Sequence, residues 1–252
     1  MLEGKSVLLA SQTGSGKTLA YLVPTILKVA PQPRGGLQPL LDAVTARNST
    51  PTRDILSSCA SPSHARPQHR SAETGGLGFP KPKRPRVIVL VPSRELCDQV
   101  LAVAKQLSHS VPFRSLALSS GDQSMQRKAL ESGVDLVVCT PGRLRKMHSR
   151  GQVFYSAVHT VVVDEADTMI EDFGQEVKPT LQALAEKQLV LAGATVTPAL
   201  RRTLEAKFEE LDLITAQSLH RPPDRLKHFF ERCYIHHPCH GNIAAGGKPP
   251  KR

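Results

Sequence analysis

The run Ser11-Gln12-Thr13-Gly14-Ser15-Gly16-Lys17-Thr18 has the residue types and spacing of a phosphate cradle. Glycines at 14 and 16 let the backbone curl so that successive amide N–H groups point inward. Lys17 can reach the outer phosphates of a nucleoside triphosphate, and the Thr18 hydroxyl can hold a magnesium ion. Thr13, Gly14, Ser15, Gly16, Lys17 and Thr18 are therefore candidate nucleotide-binding residues. The common form of the motif opens with glycine, where this chain has Ser11. A second chemical candidate is Asp164-Glu165-Ala166-Asp167. Phosphoryl-transfer sites need one acid facing a metal and another to orient or deprotonate the attacking water.

Both motifs follow short apolar runs, as the positioning of such groups requires. Runs of this kind recur at Val7 to Ala10, Val87 to Val91, Leu116 to Leu118, Leu136 to Cys139, Thr160 to Val163 and Leu189 to Ala192. Each ends in polar or Gly/Pro punctuation and is followed by a stretch that can be helical. Continuous apolar runs of this length indicate strands buried on both faces, as in a parallel sheet sandwiched by helices. The fold class is therefore α/β, a doubly wound parallel sheet, in which ligands sit beyond the carboxyl ends of the strands. Every polar motif singled out here falls at such an end.

Composition bounds the partners. The 252 residues suffice for one large domain with a sizeable core. Thirty-three Lys and Arg against 22 Asp and Glu give a net charge of +11, which favours a polyanionic partner. From Gln32 to Arg86 there are nine basic and three acidic residues, so much of the excess lies there. Residues 31–86, rich in Pro, Ser, Arg and Gly, are expected to be a disordered insertion. Its basic end, Lys81 to Arg86, reads as a solvated linker, with a nuclear signal or RNA-touching arm as alternatives. Five scattered cysteines, Cys59, Cys97, Cys139, Cys233 and Cys239, suit a reduced compartment and no disulfide partner. No run is long enough to cross a bilayer and no signal-peptide pattern opens the chain, so an intracellular protein without a membrane is expected; cytoplasm, nucleus and organelle all stay open. No marker of oligomeric state is present.

With these motifs in order, the chain resembles the DEAD-box RNA helicases, named for the tetrapeptide at 164–167. Pro92-Ser93-Arg94-Glu95-Leu96 is similar to the family's Pro-Thr-Arg-Glu-Leu element, and Thr140-Pro141-Gly142-Arg143 reproduces another letter for letter. Gly193-Ala194-Thr195 resembles the family's Ser-Ala-Thr, with Gly193 in place of serine. The resemblance implies a RecA-like P-loop domain that binds and hydrolyses ATP with Mg2+, coupled to RNA binding and duplex unwinding. It implies that Lys17 contacts the β- and γ-phosphates, Thr18 and Asp164 the magnesium, and Glu165 the hydrolytic water, so that Glu165, Lys17 and Asp164 are the catalytic candidates. Arg94, Gly121, Thr140, Gly142 and Arg143 become the candidate RNA contacts, along the backbone and without base readout. Asp167, Ala194 and Thr195 become the coupling residues between nucleotide and RNA. Two departures matter: Gly193 makes no side-chain bond, and Ser120-Gly121-Asp122 stands where relatives often carry paired glycines, which would put the Asp122 charge near phosphate.

The resemblance covers only the first of the family's two RecA-like domains, residues 1–230, with 231–252 expected as a disordered tail. Neither an Arg-Gly-x-Asp nor a His-Arg-x-Gly-Arg-x-Gly-Arg element occurs in these residues, so the second helicase domain, with its phosphoryl-stabilising arginines, is expected to be absent. The upstream glutamine-containing element that recognises adenine is not included either. A truncated helicase product is one expectation; a non-catalytic nucleotide- or RNA-binding fragment is the alternative, and a non-helicase P-loop NTPase a third. Cys233, His236, Cys239 and His240 are spaced too closely for the usual paired zinc ligands.

Overall fold

The computed structural model describes residues 1, 3–30, 79–119, 121–171, 174–196 and 211–216, all within a compact unit spanning Met1 to His220. The strands are β1 (Ser6–Ala10), β2 (Val87–Leu90), β3 (Ser115–Leu118), β4 (Leu136–Cys139), β5 (Thr160–Val163), β6 (Gln188–Gly193) and β7 (Leu211–Thr215). They form one sheet in the order β3-β4-β2-β5-β6-β1-β7, parallel at every pairing. Six expected strands are present, each within a residue of the bounds read from the sequence. The seventh, β7, has no such signal: Asp212 interrupts it, and most of its side chains are exposed at the sheet edge.

Helices α1 (Lys17–Val29), α2 (Arg94–Ser108), α3 (Gln123–Glu131), α4 (Pro141–Ser149), α5 (Ala166–Glu171) and α6 (Gly174–Ala183) cover both faces. Side chains alternate across each strand, so the continuous apolar runs resolve into two cores. Ile88, Leu90, Val137, Val161, Val163 and Leu191 meet Leu130 of α3, Leu144 and Met147 of α4, Met169 of α5 and Val177 of α6. On the opposite face Val87, Val89, Val138, Val162 and Val190 meet Tyr21, Leu22 and Ile26 of α1 and Val100, Ala104 and Leu107 of α2. Each such fully buried aliphatic side chain contributes about 1.5–3 kcal/mol over leaving it in water.

Residues 31–78 of the expected insertion and the expected tail, 231–252, lie outside the described residues, as do Cys59 and the Cys233 to His240 cluster. Residues 79–86, the downstream end of the expected insertion, are described, and Lys83 and Arg86 bond to the domain. The Lys83 amide donates to Leu130 O at 2.7 Å, and the Lys83 carbonyl accepts from the Phe154 amide at 2.8 Å. Arg86 is only 8% exposed. Its Nη1 donates to Val29 O at 2.9 Å and to Asp135 Oδ1 at 3.1 Å, while Asp135 Oδ2 accepts from the Arg114 amide at 2.9 Å. A guanidinium loses too much hydration to be buried unless its donors are met, and these acceptors meet them. Arg86 thus clamps the end of α1, where the inserted segment leaves, to the start of β2, where it returns. Burial pushes the Asp135 carboxyl above the usual carboxylate range, against the Arg114 amide and the Arg86 charge.

Among the described residues no helix is long and apolar enough to cross a membrane. Cys97 and Cys139 are free and buried, and burial pushes the Cys97 thiol up to about 12. Asp135→Ala, which removes the carboxylate facing the buried Arg86 guanidinium, is expected to lower unfolding free energy by about 3 kcal/mol. Adding Arg86→Met should cost less than the sum of the two single changes, as urea unfolding of the four variants of the cycle will show.

Candidate functional site

The strand order divides the carboxyl edge of the sheet into two halves. β1, β6 and β5 lie side by side, so the loop after β1, the end of β6 and the acidic run after β5 converge. β2, β4 and β3 lie beyond them and bring together the loops after those three strands.

In the first half the loop after β1 turns through two left-handed glycines, Gly14 at φ +77° and Gly16 at φ +91°. Gly16 is the N-cap of α1 and offers no side chain to its free amides, which are left to an anion. Lys17 Nζ donates to Ser11 O at 2.6 Å and Gln12 O at 2.8 Å, folding the lysine over its own loop. The Ser11 and Ser15 hydroxyls meet at 2.5 Å. Beside this loop lies an open cleft of about 580 Å³ lined by Thr13, Gly14, Gly16, Lys17, Thr18, Asp164, Glu165, Asp167 and Ala194, with Leu19, Leu96 and Thr168. The cleft gathers every candidate nucleotide, magnesium and catalytic residue except Ser15, and two coupling candidates. Thr195 joins them through Asp167.

The acidic run is held by bonds from three elements. Asp164, 8% exposed, accepts from the Tyr21 hydroxyl of α1 at 2.7 Å on Oδ2 and from the Glu165 amide at 3.0 Å on Oδ1. Burial raises its pKa, opposed by the Tyr21 and Glu165 bonds and by Lys17. Burial also raises Glu165, with Asp164 and Asp167 adding to the effect. Glu165 has φ +49°, a left-handed conformation that costs a non-glycine residue about 1 kcal/mol or more and persists only where its surroundings impose it. Asp167 Oδ2 accepts from the Thr195 amide at 3.0 Å and the Thr195 hydroxyl at 2.7 Å. The Ser11 amide donates to Gly193 O at 3.1 Å, tying the phosphate loop to the end of β6. A Cβ on Gly193 would stand 3.4 Å from Asp167 Oδ1.

In the second half an open cleft of about 420 Å³ is lined by Arg94, Leu118, Ser119, Gly121, Gln123, Thr140, Gly142, Arg143 and Lys146. All five expected RNA contacts line it. Lys146, one turn beyond Gly142 on α4, and Gln123 had not been singled out, for neither stands in a motif. Gln126 was missed as well: it is 8% exposed, its Nε2 donates to Ser119 O at 3.1 Å and its Oε1 accepts from Arg143 Nη2 at 3.1 Å. It therefore fixes Arg143 against the loop after β3. Arg143 Nε is buried with no hydrogen-bond partner among the described residues. Thr140 is the N-cap of α4 and Pro141 opens it, with no side-chain cap, so this helix also presents free amides. Asp122, expected to put a charge near phosphate, instead caps α3, accepting from the Ser124 amide at 2.8 Å and the Met125 amide at 3.4 Å.

Residues 1–203 match the family model of the DEAD/DEAH box helicases. The chain belongs to this family. Curated relatives include DEAD-box ATP-dependent RNA helicase 39 of Arabidopsis thaliana, 32% identical over 242 residues that cover 91% of this chain and 32% of that protein. The mitochondrial ATP-dependent RNA helicase MRH4 of Phaeosphaeria nodorum is 35% identical over 88% of this chain and 34% of its own length. The chain thus spans about a third of the curated relatives it matches. Two solved structures share the fold: the yeast DEAD-box splicing factor Prp28, TM-score 0.57 at 24% identity over 84% of this chain and 42% of that one, and a DEAD box protein from Methanococcus jannaschii, TM-score 0.60 at 21% identity over 86% and 46%.

For a DEAD/DEAH box protein the Gly193 site has a measurable consequence. Thr195→Val removes a hydroxyl bond to a carboxylate and is expected to cost about 1.5 kcal/mol in urea unfolding. Adding Gly193→Ser, whose hydroxyl would start beside Asp167 Oδ1, should recover part of that loss.

Proposed function

We propose that this chain is the Mg-ATP- and RNA-binding domain of an ATP-dependent RNA helicase, with both ligands held at the carboxyl edge of its sheet. The observation that carries the reading is the shared first turn of α2: Arg94 lines the basic cleft and Leu96 the phosphate-loop cleft, so one turn of helix separates the two. Family membership supports ATP use and RNA binding. Hydrolysis and unwinding belong to the proposal.

The donors present suit magnesium. Thr18 and Asp164 are oxygen donors only, and the described residues contain no group of three or more His, Cys, Asp or Glu that could hold a metal. A small hard cation that keeps its waters and takes phosphate oxygens fits such a two-residue site. Bound there, it would neutralise charge on the β- and γ-phosphates. The backbone amides around Gly14 and Gly16 bind the phosphate chain, and Lys17 must leave Ser11 O and Gln12 O to do so. Glu165 accepts the proton of the attacking water, a task its raised pKa favours. In the other cleft Arg94, Arg143, Lys146 and the free amides of α4 take backbone phosphates, which gives affinity without sequence readout.

One observation supports the binding-module alternative for the chain by itself. Lys17 is the sole cation among the residues lining the phosphate-loop cleft. An arginine supplied to the transferring phosphoryl group is worth roughly three to five orders of magnitude in rate. The expected behaviour is therefore Mg-dependent ATP binding with no RNA-stimulated turnover above a Lys17→Ala control. Steady-state hydrolysis with and without single-stranded RNA, beside equilibrium binding of a fluorescent ATP analogue, measures both. Lys17→Ala should weaken that binding by tenfold or more, and failure of the parent chain to bind Mg-ATP would overturn the reading. Arg143→Ala should weaken RNA binding equally for unrelated sequences and lower the salt slope of affinity by about 1.

A further inference from the structure

Tyr21 bears on the cation site and belongs to none of the motifs. It lies one turn after Thr18 on α1, is fully buried, and its ring packs among Val89, Val162 and Val190 of the sheet and its helix neighbours. Packing alone would be served by phenylalanine, whereas a buried phenol needs a partner for its hydroxyl. That hydroxyl donates to Asp164 Oδ2 at 2.7 Å, a contact between residues 143 apart in sequence. Thr18, one turn earlier on the same helix, lines the same cleft as Asp164. The phenol therefore ties one of the residues read above as magnesium ligands to the helix that carries the other. With Oδ1 accepting from the Glu165 amide, the carboxylate of Asp164 is fixed about both rotatable bonds, while each oxygen keeps lone-pair capacity for another partner.

We propose that Tyr21 is a positioning residue for the divalent cation: its hydroxyl sets the orientation of the Asp164 carboxylate from the helix that carries Thr18. The inference rests on the reading of Thr18 and Asp164 as the cation's protein ligands. Partners that orient metal ligands from outside the coordination shell typically change metal affinity by 10- to 100-fold when removed. Here the protein supplies two ligands and the phosphates supply others, so the lower end applies.

The test uses the 252-residue chain with a non-hydrolysable ATP analogue at a fixed saturating concentration, thermal melting being followed as magnesium is titrated. Tyr21→Phe is expected to raise the magnesium midpoint about tenfold and to leave affinity for the analogue in EDTA unchanged. A purely structural role would lower the melting temperature in EDTA without moving the magnesium midpoint, and that result overturns the proposal. Manganese binding followed by electron paramagnetic resonance, in the presence of the analogue, should show the same tenfold weakening. Should Tyr21→Phe fail to fold, the parent chain carrying [13Cζ]tyrosine decides: the Tyr21 resonance must shift when magnesium joins the bound analogue, and a resonance that stays put overturns the proposal. A parent chain that shows no magnesium-dependent stabilisation at all overturns the cation site itself, and with it this role for Tyr21.

Discussion

The constraint on which everything else depends is that a parallel sheet in this order must be covered on both faces. β2, β4 and β5 are buried from end to end, and β6 likewise. No charged side chain can be carried along such a strand without losing several kcal/mol of hydration. Chemistry is therefore displaced to the strand ends, where helix N-termini point amides outward and water still reaches the loops. The order β2-β5-β6-β1 then decides which loops become neighbours, and it sets the phosphate loop, the acidic run and the end of β6 around one cleft. Function follows from topology before any single side chain is chosen.

This is also why so much was legible in the sequence. Strands buried on both faces must be apolar without interruption, and those runs stand out; the motifs at their ends are local, since a glycine-rich turn or an acidic tetrapeptide is contiguous. What could not be read is what depends on distance. Tyr21 looks like one more core aromatic of an amphipathic helix until β5 brings Asp164 beside it. Gln126 sits in a polar helix and acquires its role only because Ser119 and Arg143 converge on it from two other loops. Arg86 closes a run of prolines and basic residues and was counted with solvated chain, yet its partners are Val29 and Asp135, from opposite sides of the inserted segment. β7 obeys different rules, because an edge strand is covered on fewer sides and can carry an aspartate in its midst.

The two clefts are lined by side chains of opposite net charge. The basic cleft is lined by Arg94, Arg143 and Lys146 with no acid among them. The other is lined by Asp164, Glu165 and Asp167 against Lys17 alone. Burial is the main cause of the raised pKa values of Asp164 and Glu165, and the neighbouring carboxylates add to it. The sign follows directly: for each of these groups the folded chain prefers the protonated form, so their contribution to stability is most favourable below the ordinary carboxylate range and declines as pH rises through the raised values.

β6 ties the phosphate loop to the acidic run within the first cleft. Its last residue, Gly193, accepts from the Ser11 amide of the phosphate loop, and two residues later Thr195 places two bonds on Asp167. Both of these fall on Oδ2, while Gly193 faces Oδ1 with no side chain. Where a relative has serine, a hydroxyl would bond that second oxygen and lock the carboxylate from both sides. Among the described residues the side-chain bonds on Asp167 come from Thr195. A carboxylate fixed by one oxygen can turn about its terminal torsion more freely than one fixed by two. The pairing of β6 with β1 and β5 is a further tie between the phosphate loop and the acidic run.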